Sequence, residues 1–370
     1  MSEEHLFEVR GLQKYFPIRG GLLKKNLGNV KAIDGINFSV PTGKTLGVVG
    51  ESGCGKTTTG RCVLMLTPPT GGNIYYKMPV DVRERMLQLE AEEAELLLAK
   101  EEEKRKRPSR KKDAGLIPEL EEIRDTYTLN RRTAEDLRRL RKDMQIVFQD
   151  PYSSLNPRML IKDIIAEPMK LHGMASGISV TERVRDLMER VGLSPEHIYR
   201  YPHEFSGGQR QRIGVAKALA LNPDFIVLDE PTSALDVSVQ SQILNMLNDL
   251  QDELDLTYMF ISHDLSTIKY MCDYVNIMYL GKIVETGAKE DIFDNPIHPY
   301  TEALLASIPL PDPKLRKKRV PLSGEIPSPA NPPTGCRFHT RCRYRQEICE
   351  QVEPQLVDKG NGHMVACHFR

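Results

Sequence analysis

The sequence has no net charge, because 51 lysines and arginines stand against 51 aspartates and glutamates. A nucleic-acid binder needs an excess of cations to replace the counterions of a phosphate backbone, so nucleic acid is not expected as the main partner. There is also no run of about 20 apolar residues, the length that crosses a bilayer. The opening stretch MSEEHLFEVR has no apolar h-region, so no secretory signal is expected. Seven cysteines in 370 residues are too few for a disulfide scaffold. These absences leave a soluble chain long enough for more than one domain and a large core. If it serves a membrane, other chains do the spanning.

The cysteines are unevenly placed. Cys54, Cys62 and Cys272 are scattered, whereas Cys336, Cys342, Cys349 and Cys367 crowd the last segment. Crowded cysteines in a cytosolic chain read first as metal ligands. Their spacing, C-x5-C-x6-C-x17-C, is looser than the C-x2-C knuckles of structural zinc. Four thiolates suit either zinc or a four-iron cluster. A proline-rich tail with little core of its own has reason to carry such a staple.

Apolar runs mark the strands. Residues 6–16 and 30–50 read as short strands and turns, and TLGVVG (45–50) as a buried strand feeding a glycine-rich turn. A helix should follow at 56–66. MQIVFQ (144–149), FIVLDE (225–230), YMFIS (258–262) and VNIMYL (275–280) read as further strands, with a helical region at 158–220. Strands alternating with helices imply an α/β fold with a mostly parallel sheet.

Two segments break this grammar. Residues 77–141 are dense in charge and read as an inserted helical hairpin. Val82, Met86, Leu89, Glu93 and Leu96 make a coiled-coil-like seam with one polar member. The basic run KRKRPSRKK (104–112) makes a loose tip. A second helix is expected to start at Thr133, with Asp136 completing a capping box and Leu137, Leu140 and Met144 on its inner face. The hairpin is read as a solvated excursion, the alternative being a tip that touches anionic lipid or another chain. From 296 onward proline becomes frequent, which marks a tail lying on the core.

GESGCGKTT (50–58) fits G-x-x-x-x-G-K-[ST] between a strand and a helix. Gly50, Glu51, Ser52, Gly53, Cys54, Gly55, Lys56, Thr57 and Thr58 would wrap a polyphosphate, with backbone N–H groups turned inward and the positive end of the helix aimed at it. Lys56 should reach the β- and γ-phosphates, and Thr57 should place its hydroxyl on Mg²⁺. Asp229 and Glu230 end a buried strand, where ligands of open α/β sheets sit. Asp229 would hold Mg²⁺ through its water shell and Glu230 would polarise the attacking water. FSGGQRQR (205–212) offers a second anion site, from Ser206, Gly207, Gly208 and Gln209 at a helix start. It lies too far along the chain to be the first phosphate loop, which suggests that two chains sandwich the ATP.

In this order, the motifs resemble the nucleotide-binding domain of ABC transporters over 1–76 and 142–295. The resemblance implies a P-loop NTPase with a helical subdomain, the insertion at 77–141 and a Cys-rich carboxyl-terminal extension at 296–370. It implies that Gln149 is the Q-loop glutamine that senses Mg²⁺, that Asp236 in SALD is the D-loop aspartate crossing a dimer interface, and that His263 in FISHD is the switch histidine on the γ-phosphate. Phe16 best fits the aromatic that stacks on adenine, with Tyr15 as the alternative. Glu230, His263, Gln149 and Lys56 are then the catalytic set, with ATP and Mg²⁺ as cofactors.

FQDPYSSLNPR (148–158), NPIHPYTEALLASIPLPDP (295–313) and the cysteine tail look like the oligopeptide and dipeptide importers, and KYFPIRGG looks like the second, F-type ATPase subunit of that group. That likeness implies a heterodimer with a paralogous ATPase, two transmembrane permease subunits and an extracellular solute-binding protein. It places the chain peripherally on the cytoplasmic face of the membrane. It also associates the four cysteines with an iron–sulfur (4Fe–4S) cluster, zinc being the alternative, with Arg337, Arg341 and Arg343 offsetting its charge. Relatives that import nickel or oligosaccharides keep cargo open. A soluble ABC ATPase of repair or translation is disfavoured by the single motif set, and a non-hydrolysing binding protein by the intact Glu230 and His263.

Overall fold

The computed structural model describes residues 4–20, 25–106, 117–174, 178–308 and 324–370. Most of the basic run, from residue 107 on, and the segment 309–323 with its PLPDPK lie outside the described residues.

The chain opens with a long antiparallel hairpin of β1 (His5–Gly20) and β2 (Lys25–Pro41). It is longer than the short strands expected, because its far half is an exposed extension with no buried residue beyond Leu12 to signal it in β1. After β3 (Thr45–Val49) come α1 (Lys56–Val63) and β4 (Gly71–Tyr76). The insertion supplies α2 (Val80–Lys106), α3 (Pro118–Tyr127) and α4 (Ala134–Leu140). β5 (Met144–Val147) then leads to α5 (Ile161–Leu171), α6 (Ile178–Arg190) and α7 (Gly207–Leu219). The next elements are β6 (Phe225–Asp229), α8 (Val237–Leu254), β7 (Thr257–Ser262), α9 (Leu265–Met271), β8 (Tyr274–Tyr279) and β9 (Lys282–Ala288). The tail adds α10 (Lys289–Asp294), α11 (Pro299–Ala306), α12 (Ile348–Gln351), β10 (Val357–Asp358) and β11 (Met364–Val365).

Two sheets form. The larger has the order β10-β11-β9-β8-β3-β7-β6-β5, and the smaller, antiparallel, has β2-β1-β4. The strands from β5 to β8 in the larger sheet pair in parallel. β3, β6 and β7 are buried at every residue, as continuous apolar runs in a doubly covered parallel sheet should be. α5, α6 and α7 form the helical subdomain. Ile161, Ile165, Val184, Leu187 and Ile213 join the core that Leu228 and Phe260 occupy in the sheet.

The insertion is less solvated than expected. Met86, Leu89 and Leu120 are buried with Tyr75 and Met78 in a small core of their own, with Val82 packed against it. Arg124 on α3 bonds Glu93 on α2 at 3.0 Å, so the one polar member of the seam is satisfied across the hairpin. Leu96 is exposed, which shows the seam parting toward the tip. The N-cap half of the expected capping box at Thr133 is present: its hydroxyl accepts from the Asp136 N–H at 3.2 Å and donates to the Asp136 carboxylate at 2.7 Å. Leu137 and Leu140 pack on the cluster that contains Met144.

Candidate functional site

The carboxyl end of β3 delivers the chain into the 50–58 loop, and two glycines there are steric necessities. A Cβ on Gly50 would lie 2.2 Å from the Met278 carbonyl oxygen, and one on Gly55 2.3 Å from the Ala32 carbonyl oxygen. Gly55 also has φ of 111°, a backbone region that side chains disfavour. As N-cap of α1, Gly55 supplies no side-chain cap. The first N–H groups of α1 are therefore left for a ligand.

The loop borders a cleft of about 540 Å³ lined by Ser52, Gly53, Gly55, Lys56, Thr57 and Thr58 on one side and Gln149, Glu230 and His263 on the other. Val30, Ala32 and Pro329 complete the lining. Lys56 is buried, and its Nζ donates to the carbonyls of Gly50 at 2.8 Å and Glu51 at 3.2 Å. Thr57 donates its hydroxyl to Asp229 at 2.8 Å, which brings the two expected Mg²⁺ residues together. Burial raises the Asp229 carboxyl, against the opposing Thr57 hydrogen bond and the nearby Arg61. A bound divalent cation would offset that burial.

Glu230 stands at the mouth with a left-handed backbone, φ 47°. Such strain in a non-glycine residue persists where the surroundings over-determine it, and its N–H is fixed to the Ile261 carbonyl at 2.9 Å. Its carboxylate accepts from the Gln149 amide at 2.9 Å and lies 3.1 Å from His263 Nδ1. Gln149 and His263, 81 and 33 positions from Glu230 along the chain, thus meet on one of its oxygens, Oε2. A carboxylate held by an amide and an imidazole can orient a water against a phosphoryl group, and the lysine opposite can take up its charge.

Other expected site residues lie elsewhere. Gly50, Glu51 and Cys54 belong to the loop but do not line the cleft, and Cys54 is buried beneath it. Phe16 is exposed on β1, directly opposite Val30 of the cleft lining in the strand register. The alternative, Tyr15, bonds its hydroxyl to Asp34, and burial together with that bond pushes its pKa up to about 12. Ser206, Gly207, Gly208 and Gln209 are not in the cleft. Ser206 caps α7 by accepting from the Gln209 N–H at 3.3 Å, while the Gln209 side chain accepts from the Ser206 N–H at 3.0 Å. Asp236 caps α8 through the Val239 N–H at 3.0 Å and is exposed.

Cys336, Cys342, Cys349 and Cys367 line a second, small cavity of about 20 Å³ with Phe338, His339, Tyr344 and His368. Burial pushes the Cys336 thiol up to about 11, and the other three cysteines add to the shift. Among the described residues no three His, Cys, Asp or Glu side chains stand together as ligands for one metal ion. Burial raises the Cys342 thiol, and of the neighbouring arginines Arg343 acts against that rise as a counter-charge. Arg337 pairs with Asp34 and Arg341 with Glu51, which tether the tail to the core, whereas Arg343 pairs with Glu302 inside the tail. The two tethers to the core and the Lys31–Pro329 contact had no signal in the sequence, since each joins segments about 300 positions apart.

The chain matches two families in succession: "ABC transporter" over residues 33–233 and "Oligopeptide/dipeptide transporter, C-terminal region" over 284–349. It is 45% identical to the oligopeptide transport ATP-binding protein AppF of Bacillus subtilis, over 100% of this chain and 98% of that one. It is 44% identical to the dipeptide transport ATP-binding protein DppF of Escherichia coli, over 99% and 94% of the two chains. Among solved structures, the dimeric post-hydrolysis ATP-binding cassette MJ0796 bound to ADP and Pi matches with a TM-score of 0.56 at 21% identity, covering 76% of this chain and 98% of that one. That last likeness is one of fold.

Proposed function

The chain belongs to the ABC transporter family, and from that membership we propose that it is the ATP-hydrolysing, F-type subunit that energises import of oligopeptides or dipeptides. The observation that carries the chemistry is the meeting of Gln149 and His263 on Glu230, across the cleft from Lys56. Lys56 and the free N–H groups of α1 hold the phosphates, and Thr57 and Asp229 hold Mg²⁺. Glu230 orients the water, and Phe16 takes the adenine. Phosphoryl transfer needs little more than such positioning and charge. Phosphate release by the assembled transporter tests this reading. Import substrate should stimulate release, and release should fall to background with Glu230→Gln while ATP still binds. Unchanged release in that variant would remove Glu230 from its role.

The core spans 1–76 and 142–295, with the hairpin 77–141 and the extension 296–370 added to it. Ser206 to Gln209, and Asp236, serve the nucleotide held by a paralogous ATPase in a heterodimer. Two permease subunits span the membrane and an extracellular binding protein delivers the peptide. In this reading the chain lies peripherally on the cytoplasmic face, against the permeases; none of its described helices is long and apolar enough to cross a bilayer.

The four cysteines hold a 4Fe–4S cluster in this reading. What supports the reading is that four thiols line one cavity, a donor set that suits such a cluster, with zinc as the alternative. Such a group would supply a staple for a tail with little core. Anaerobically purified protein should absorb broadly near ~400 nm and carry about four irons per chain. One zinc in colourless protein would replace the cluster with zinc, and four titrating thiols without metal would remove the site.

A further inference from the structure

The tail grips the phosphate loop at a single residue. Glu51 donates its N–H to the Tyr300 hydroxyl at 3.0 Å. Its carboxylate takes both arms of the Arg341 guanidinium, at 2.6 and 3.0 Å. Its carbonyl accepts from Lys56 Nζ. Tyr300 and Arg341 come from positions 249 and 290 residues further along the chain. Both are buried, and Phe338 from the cysteine segment packs on the Tyr300 ring at 5.3 Å. A third contact lies at the edge of the cleft, where the Lys31 N–H donates to the Pro329 carbonyl at 3.1 Å and brings Pro329 into the cleft lining.

We propose that Arg341 and Tyr300 are positioning residues of the phosphate loop, acting on ATP binding through Glu51. Two physical effects point the same way. A loop already held in its binding shape loses less entropy when the ligand arrives. Arg341 also neutralises a carboxylate that would otherwise stand within the loop that receives a polyphosphate, and a bidentate pair in a partly buried setting is the strong form of that interaction. Arg337 on Asp34 and Arg343 on Glu302 anchor the same segment but touch no residue of the loop. The extension therefore tunes the nucleotide site through Arg341 and Tyr300.

The inference rests on reading the cleft as an ATP site, and the wild-type chain checks that separately: if it binds no ATP, the reading fails before the grip is tested. The grip is tested by equilibrium ATP binding to the purified full-length chain, with the melting temperature measured alongside. Arg341→Gln should raise the ATP Kd about tenfold by leaving Glu51 as an uncompensated anion. Adding Glu51→Gln should recover most of that loss, because the pair is then neutral. Tyr300→Phe should raise Kd about threefold. In the assembled transporter Arg341→Gln should raise KM for ATP more than it lowers kcat. A Kd unchanged in Arg341→Gln, or a double variant that binds as weakly as the single, would overturn the proposal, since a merely structural arginine gives no rescue. Should Arg341→Gln fail to fold, Arg341→Lys keeps the charge and loses the fork. It is expected to raise Kd a few-fold, and wild-type affinity in both Arg341→Lys and Tyr300→Phe would equally overturn it.

Discussion

Two helix starts in this chain read in the sequence as anion sites, yet they are finished differently. α1 begins at Gly55 with no side-chain cap, inside a cleft, and with Lys56 beside it. α7 begins at Ser206 with a closed capping box, on the surface and away from that cleft. An uncapped start keeps its N–H groups for a ligand bound in place. A capped, exposed start is stable alone, as it must be if its ligand arrives only with a second chain. A third start adds contrast: α11 is capped by His298, whose fully buried ring accepts from the Tyr300 N–H at 3.1 Å. That cap serves the tail, and through Tyr300 it serves the grip on α1's loop.

The comparison can be broken at several points, with effects of decreasing size. Glu230→Gln removes the carboxylate that faces the α1 start, so ATP hydrolysis should fall by about 10²–10⁴-fold, a typical general-base contribution, with binding retained. Steady-state phosphate release and equilibrium binding report the two separately. Lys56→Ala removes a charge-assisted contact of about 1.5–3 kcal/mol, so the ATP Kd of the isolated chain should rise roughly 10–150-fold, as read by titration. If affinity is unchanged, α1 is not the phosphate site.

The α11 cap predicts a pH effect. Burial pushes the His298 imidazole down from 6.5 to about 3. The folded state thus refuses a proton that the unfolded chain accepts. Its stabilising share is complete above pH ~6.5 and should decline by about 1.4 kcal/mol per unit as pH falls from there toward ~3. His298→Asn keeps a capping acceptor that does not titrate. Its Tm should therefore fall less than that of the wild type between pH ~6.5 and ~5, and parallel Tm curves would rule out the histidine as the cause. The smallest effect belongs to α7. Ser206→Ala should cost about 1 kcal/mol of stability, seen in denaturant midpoints, and leave the ATP Kd of the isolated chain unchanged.

Much of this was legible in the sequence where local chemistry and local geometry coincide. The apolar runs that became β3, β6, β7 and β8 announce themselves, because strands covered on both faces admit few polar residues. The 50–58 loop is equally plain, since Gly50 and Gly55 meet backbone that no side chain could clear. The far half of the β1–β2 hairpin is exposed and lacks a buried pattern, so its length was hidden. The insertion's helices were readable from Met86 and Leu89, but their packing beneath Tyr75 was not, since a seam does not say what it packs against. Least legible were the tethers of the tail. Arg337, Arg341 and Arg343 read as counter-charges for the cysteines beside them in sequence; Arg343 does act on Cys342, whereas the fold pairs Arg337 and Arg341 with distant acids. A long-range ion pair leaves no period and no motif.

The contrast between the two helix starts is tested most directly by asking whose nucleotide Ser206 serves. The assembled transporter should be prepared with Ser206→Arg in this chain and an intact partner ATPase, and trapped nucleotide assigned to each chain by photo-crosslinking. Labelling should be lost at the partner's phosphate loop and kept at Lys56 of this chain. Loss confined to this chain's own phosphate loop would contradict the account.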